Sequence, residues 1–255
     1  MAWLLIISSL IVLWVASLCK ILLAPSKGSF LSNVGNLSKR DVLLVIAHPD
    51  DESMFFSPTI NYLTSRGHNL HILCLSIGDA DGKGNIRKEE LYEACAVLKV
   101  PLQQVKVMDH PDLQDGFGKV WNHNLLADII KAEVIGHGTE TIITFDSYGV
   151  SGHCNHRDVH HGVRKLLHET SQRNIEAWEL ISTNILRKYS GPVDMWLSYL
   201  RAMQCSSGSV HCLLNEHPQK SFLAMARHSS QWVWFRKLFV ACSSYTYVNT
   251  LRKFN

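Results

Sequence analysis

The sequence predicts an α/β fold: a mainly parallel sheet with helices on both faces. Three observations carry this. Val42 to Ala47 is an unbroken aliphatic run that stops at His48-Pro-Asp-Asp-Glu52, the pattern of a strand buried on both faces. From there to residue 214, short β-rich runs alternate with longer stretches of helical period. Two of those runs end in clustered acids and histidines, and in open α/β sheets the pocket lies beyond the carboxyl ends of the strands.

The whole chain sets bounds on function. Its 255 residues suit one domain plus an appendage. A hydrophobic share of 46% is enough for a core, and charge is low at 18%. Net charge is +3 with Lys and Arg scattered. No basic stripe carries interleaved aromatics, so nucleic acid is not an expected partner. Fourteen histidines, several of them clustered, favour a metal. The seven cysteines form no C-x-x-C pair and are irregularly spaced, which points to a reducing compartment. Cys74 and Cys95 fall in apolar patterns and read as small core residues.

In chain order, residues 1–24 read as a membrane anchor. Ala2 to Leu23 is apolar, with Lys20 its one charge, and about 20 apolar residues span a bilayer. No basic region precedes the run, unlike a signal peptide. Lys20, Lys27, Lys39 and Arg40 lie at its far end or beyond, so the positive-inside rule places the rest of the chain in the cytoplasm. Residues 25–39, rich in Gly, Ser and Asn, read as a linker that includes an Asn36-Leu-Ser38 sequon. Residues 40–255 form the main domain.

Within that domain, strand 42–47 is followed by a helix from Ser53 to Arg66, capped by Gly67. A strand spans His71–Leu75. A loop at 79–85 leads to a helix over Ile86–Lys99, with Leu91, Cys95 and Leu98 on one face. Strand Val105–Met108 precedes a loop at 110–118 that carries Asp112 and Asp115. A helix over Trp121–Ile135 leads to strand Thr141–Phe145, which ends in Asp146. A glycine-rich loop then runs to His153-Cys-Asn-His156, and a helix starts near Arg157. Strands are expected at 179–183 and 210–214, and a helix at 218–227. The tail from Gln231 to Tyr247 is aromatic and includes Arg236 and Lys237. It reads equally well as an interfacial helix or as packing on the core.

Two stretches carry chemistry. His48 and Asp51 on one loop and His156 on another supply two imidazoles and a carboxylate. Three protein ligands and an open position describe a catalytic zinc site, although the same donors also describe non-haem iron. Asp50 stands beside the ligands as a carboxylate able to take a proton from water. His153 is free to donate to an oxyanion or to a leaving group. Either stretch alone has an ordinary explanation: His-Pro-Asp as a helix cap, His-x-x-His as two unrelated histidines. Their placement on one edge of one sheet favours the metal. His160 and His161 read as exposed helix residues.

The stretches Ala47-His-Pro-Asp-Asp-Glu52 and Gly149-Val-Ser-Gly-His-Cys-Asn-His156 closely resemble the PIG-L/LmbE-like zinc deacetylases. The resemblance extends through Arg87-Lys-Glu-Glu-Leu91, Thr144-Phe-Asp146 and Asn184-Ile-Leu-Arg-Lys-Tyr189, and covers nearly all of residues 40–250. The anchor and the tail Gln231-Trp-Val-Trp-Phe-Arg-Lys237 resemble the eukaryotic members. Those members deacetylate N-acetylglucosaminylphosphatidylinositol in GPI-anchor synthesis at the endoplasmic reticulum. The resemblance implies a Rossmann-like fold, zinc on His48, Asp51 and His156, Asp50 as general base, and His153 as oxyanion or acid partner. It also implies a glycolipid substrate at the endoplasmic reticulum membrane, to which the anchor and its flanking charges add a single pass with the catalytic domain facing the cytoplasm; no obligate protein partner is inferred. Bacterial relatives often carry Pro-Asp where this chain has Cys154-Asn155, neither of which is a ligand position.

Arg87, Asp112 and Asp146 are candidates for binding substrate. Glu52 is a candidate for steadying a ligand histidine or for capping the following helix. Two rival functions are a metal hydrolase acting on another N-acyl substrate and a non-catalytic membrane adaptor. The intact set of acids and histidines argues against the adaptor.

Overall fold

The aliphatic run is strand β1 (Asp41–Ile46), buried from Val42 onward. It pairs in parallel with β2 (Asn69–Cys74) on one side and β4 (Thr141–Phe145) on the other. A strand flanked on both edges and covered on both faces has no polar side to offer, which is why it does not alternate. The computed structural model describes residues 2–23, 30–31, 39–170, 175–205 and 208–254. Most of the stretch read as a linker, including the 36–38 sequon, lies outside the described residues.

Strand β3 (Val105–Val107) extends the sheet beyond β2, and β5 (Glu176–Leu180) extends it beyond β4, both in parallel. Two further strands, β6 (Val210–Leu214) and β7 (Val248–Lys253), complete a seven-stranded sheet in the order β3-β2-β1-β4-β5-β7-β6. Strand β7 is antiparallel to both of its neighbours. It was not expected from sequence. Its residues Val-Asn-Thr-Leu-Arg-Lys read as polar, yet Arg252 pairs with Glu179 on β5 and Lys253 with Glu176. Those pairs also explain why β5 starts three residues before the expected 179–183. Its two glutamates look like loop residues until their partners arrive from β7.

The expected helix 53–66 is two pieces, α2 (Asp51–Met54) and α3 (Ser57–Ser65), with Pro58 at the start of the second. Proline favours the first turn of a helix and disrupts its interior, and the buried Phe55 and Phe56 form the corner. Helix α4 (Gly84–Val97) buries Leu91, Ala94 and Cys95. Helix α5 (His123–His137) starts on Asn122, whose side chain accepts from the backbone amides of Asn124 and Leu125. After β4 come a short irregular turn, α6 (Gly149–Gly152), and α7 (Cys154–Glu169). Helices α5 and α7 meet closely at Gly162, where an added Cβ would stand 2.6 Å from the Leu126 Cβ. The remaining helices are α8 (Ile185–Lys188), α9 (Asp194–Gln204), α10 (Pro218–Met225) and α11 (Trp234–Cys242). Cys74 and Cys95 are both buried core residues, as expected.

Helix α1 (Ala2–Leu23) is long and apolar enough to cross a membrane, and most of its surface is exposed. One stripe of it packs on the domain. Ile21 is fully buried in a small cluster with Met195 and Tyr247, joined by Trp14 and Leu18. The Ser17 hydroxyl accepts a hydrogen bond from Trp196 Nε1 at 3.0 Å.

Candidate active site

The chain leaves β1 towards β2 and leaves β4 towards β5, in opposite directions along the sheet. Such a switch opens a crevice at the carboxyl ends of the two strands. Residues 48–52 follow β1 and residues 146–156 follow β4, so both predicted stretches meet there. Asp51 is buried. Its Oδ2 accepts the backbone amides of Ala47 (3.0 Å) and His48 (2.8 Å), and its Oδ1 lies 3.2 Å from His156 Nε2. His156 donates from Nδ1 to the Gly149 carbonyl at 3.0 Å, which leaves the Nε2 lone pair facing the site. Gly149, at φ +67, is required here because a Cβ would come within 2.6 Å of the His156 Cβ. His48 Nε2 contacts Asp115 (3.0 Å) and the Asn155 side-chain oxygen (3.1 Å), and its Nδ1 is 3.9 Å from Asp51 Oδ2.

Asp50 holds the centre of the charge network. Its backbone sits at φ +124, a strained value for a residue with a Cβ. Its amide is fixed by a bond of 3.1 Å to Glu52 Oε2. The carboxylate lies 3.1 Å from Arg236 and 3.5 Å from Arg87. Burial raises its pKa, and the two guanidiniums pull it part of the way back. A buried carboxyl with raised affinity for a proton and open acceptor capacity is suited to general-base work. Glu52 steadies this turn rather than a ligand histidine. Its Oε1 meets His228 Nε2 at 2.7 Å, and both side chains are fully buried.

His153 is half-buried, and its Nδ1 accepts the Asn155 amide at 3.3 Å, which leaves the ring proton on Nε2. Burial and the adjacent His48 and His156 lower its pKa to about 4, so it is neutral at physiological pH. For His48 the balance goes the other way. Burial pulls its pKa down, but the bond to Asp115 and the charges of Asp51, Asp115 and Asp50 raise it overall. Burial disfavours the charged form of Asp51, yet His156 and His48 hold its pKa well below the usual carboxylate range.

The other predicted residues are placed differently. Arg87 is pinned, with Nη1 donating to Gly78 O (2.8 Å) and to Asp115 (3.3 Å), and Nη2 to Pro49 O (2.8 Å). Asp146 accepts from the Tyr148 and Gly149 amides and from the amide and hydroxyl of Ser182. It builds the loop that carries the second motif. The side chain of Asp112 is 74% exposed and is not brought to the cluster; the acid from that loop that arrives is Asp115. His160 is buried, contrary to expectation, donating to the Phe145 carbonyl beside Glu179. Arg236 reads from sequence only as part of the aromatic tail, and His228, just before that tail, has no motif to announce it.

The donors fit a divalent metal. His48, His153 and His156 each bring a ligand atom within 4.8 Å of the others, and the Asp51 carboxylate touches His156. Three imidazoles and a carboxylate gathered in a buried crevice are a nitrogen- and oxygen-donor set of the kind zinc takes. The tightest group of histidines includes His153, whereas the set expected from sequence is His48, Asp51 and His156. The backbone amides on Asp51 Oδ2 leave its Oδ1 beside His156, so both sets share one locus.

Comparison with known proteins agrees with this geometry. The family model PIG-L, described as GlcNAc-PI de-N-acetylase, matches residues 43–167. A probable N-acetylglucosaminyl-phosphatidylinositol de-N-acetylase of Dictyostelium discoideum is 33% identical over 84% of this chain and 93% of its own length. The Bos taurus N-acetylglucosaminyl-phosphatidylinositol de-N-acetylase is 38% identical over 82% of this chain and 81% of its own. Among solved structures, a deacetylase of teicoplanin biosynthesis has a TM-score of 0.59 at 15% identity, covering 84% of this chain and 97% of that one. The N,N'-diacetylchitobiose deacetylase of Pyrococcus horikoshii has a TM-score of 0.58 at 13% identity, covering 94% and 92%. Two motifs on one sheet edge, and similarity along most of its length, show that the chain belongs to the PIG-L family of deacetylases and is an amide hydrolase.

Proposed function

We propose that this chain hydrolyses the N-acetyl group of N-acetylglucosaminylphosphatidylinositol, giving glucosaminylphosphatidylinositol and acetate, with zinc held by His48, Asp51 and His156. The single observation that carries this reading is Asp50, a buried carboxylate tuned by two arginines beside a cluster of metal-binding side chains. The names of the relatives support the substrate.

Zinc bound there would polarise the amide carbonyl and acidify a water at the open position. Asp50 takes the proton of the attacking water. The Nε2–H of neutral His153 donates a hydrogen bond to the oxyanion that forms on the former carbonyl oxygen. Asp50 then returns its proton to the amine nitrogen, and the C–N bond breaks. Arg87 holds the Asp50 turn by binding the Pro49 carbonyl, while Glu52 and His228 hold it from the other side. Helix α1, with the basic residues Lys20, Lys27, Lys39 and Arg40 at its far end or beyond, supports a single-pass membrane location with the domain facing the cytoplasm; the endoplasmic reticulum rests on the resemblance to the eukaryotic members alone.

The test is to purify the full chain in mild detergent and measure bound metal together with acetate released from the glycolipid, for wild type and His156→Ala. About one zinc per chain with acetate release, both lost in the variant, is the expected result. Zinc without acetate redirects the reading to another N-acetyl substrate. Neither zinc nor acetate removes the catalytic reading.

A further inference from the structure

Helix α1 touches the domain well inside its apolar length. Trp14 packs edge-on against Tyr247, with ring centroids 6.2 Å apart, and Ser17 bonds Trp196 of α9. At 1.5 Å per residue, Trp14 lies about 13 Å along the helix from Leu23. The whole span Trp3–Leu23 measures only about 30 Å, the thickness of a hydrocarbon core. If α1 crosses a bilayer, the parts of the domain that touch Trp14 and Ser17 sit below the headgroups.

The exposed surface of the helices there is largely apolar, with Arg201 of α9 and Lys237 of α11 as its exposed charges. Helix α9 exposes Trp196, Leu197, Leu200 and Met203. Helix α11 exposes Trp234, at 74%, and Leu238. The two helices belong to one assembly, because Tyr247 packs in one cluster with Met195 of α9, while its hydroxyl donates to the Ala241 carbonyl of α11 at 2.8 Å. Exposed apolar helix faces of this kind are rare on a water-facing protein and usual on a membrane-facing one. On its inner side, α11 packs Phe239 against Phe55 and places Arg236 on Asp50.

We propose that α9 and α11 lie within one leaflet of the lipid bilayer alongside α1, so that the bilayer covers this face and the active-site mouth opens at the headgroups. The active site then meets its substrate without lifting it out of the membrane, since the thickness of a single helix, about 10 Å, separates the lipid-facing side of α11 from Asp50. That last step rests on the lipid substrate proposed above. The docking itself does not.

The experiment uses the full chain reconstituted in vesicles of phosphatidylcholine brominated in its acyl chains. Emission is compared for wild type, Trp234→Phe and Trp3→Phe, each a conservative change at an exposed residue. The Trp3 component should be quenched by bromolipid, showing that α1 is inserted. The Trp234 component should be quenched by bromolipid and spared by aqueous iodide. Quenching of Trp234 by iodide instead would mean that the face is in water, and quenching by neither would mean that protein covers it. Either outcome, or a Trp3 component untouched by bromolipid, overturns the proposal. None of these readouts depends on turnover, so acetate release can fail while the docking stands, and the reverse.

Discussion

Arg236 forms an ion pair with Asp50, Nη2 to Oδ2 at 3.1 Å, joining helix α11 to the turn after β1 across most of the chain. Burial raises the Asp50 pKa, and Arg236 is the strongest influence acting in the opposite direction. Replacing Arg236 with Gln removes a cation that favours the ionised form, so the pKa rises further and the base is protonated at higher pH. The acidic limb of kcat/KM should therefore move to higher pH, by about one unit, with zinc content unchanged. A pH–rate profile of the two proteins checks this. An unmoved limb would separate Arg236 from the base.

Metal content and turnover should come apart along the site. Asp50→Asn is expected to keep its metal and lose about 10²- to 10⁴-fold in turnover, the usual worth of a general base. His153→Ala should also keep its metal while kcat falls. Asp51→Asn should lose it. Elemental analysis beside acetate release measures both quantities, and a metal-free His153→Ala protein would place His153 among the ligands.

Glu52 and His228 are fully buried and 2.7 Å apart. His228→Ala leaves Glu52 without its cation and should cost about 3–5 kcal/mol of stability in denaturant unfolding. Burial lowers the His228 pKa, but Glu52, Asp50 and Glu90 together raise it above the ordinary 6.5. A raised folded-state pKa stabilises fully below 6.5, and that contribution is lost as pH rises through the folded value. Wild-type melting temperature should therefore fall as pH climbs past neutral. His228→Gln, which removes the titrating imidazole, should lack that slope.

Gly149→Ala should displace His156, because the new Cβ would stand 2.6 Å from the histidine's own, at φ +67. Gly152→Ala provides the comparison: φ is +78 but the nearest atom is 3.8 Å away. Both substitutions bear the left-handed backbone cost of about 1–2 kcal/mol. Only Gly149→Ala is expected to weaken zinc binding as well, as a metal titration would show.

The parts legible in the sequence were those whose partners are local. The unbroken run 42–47 declared a central strand, and the residues following it declared the sheet edge of the site. Asp115, Arg236 and His228 were not legible, because each acquires its role from a partner far along the chain, and a lone acid or base in a loop looks the same whether it is solvated or paired. Strand β7 was missed for the same reason. Its Arg252 and Lys253 lie opposite Glu179 and Trp178 of β5, and their charges are paired with Glu179 and Glu176.

Strand β7 follows every other strand in the chain but pairs between two of them. Its Asn249 also donates to the Phe55 carbonyl and accepts from Thr59, bracing the corner just after Asp51. Ribosome-stalled chains that end before residue 248 should accordingly give no protease-resistant core. Synthesis makes α1 well before this brace, so a chain whose α1 enters the bilayer as proposed is moored there long before it has a working active site.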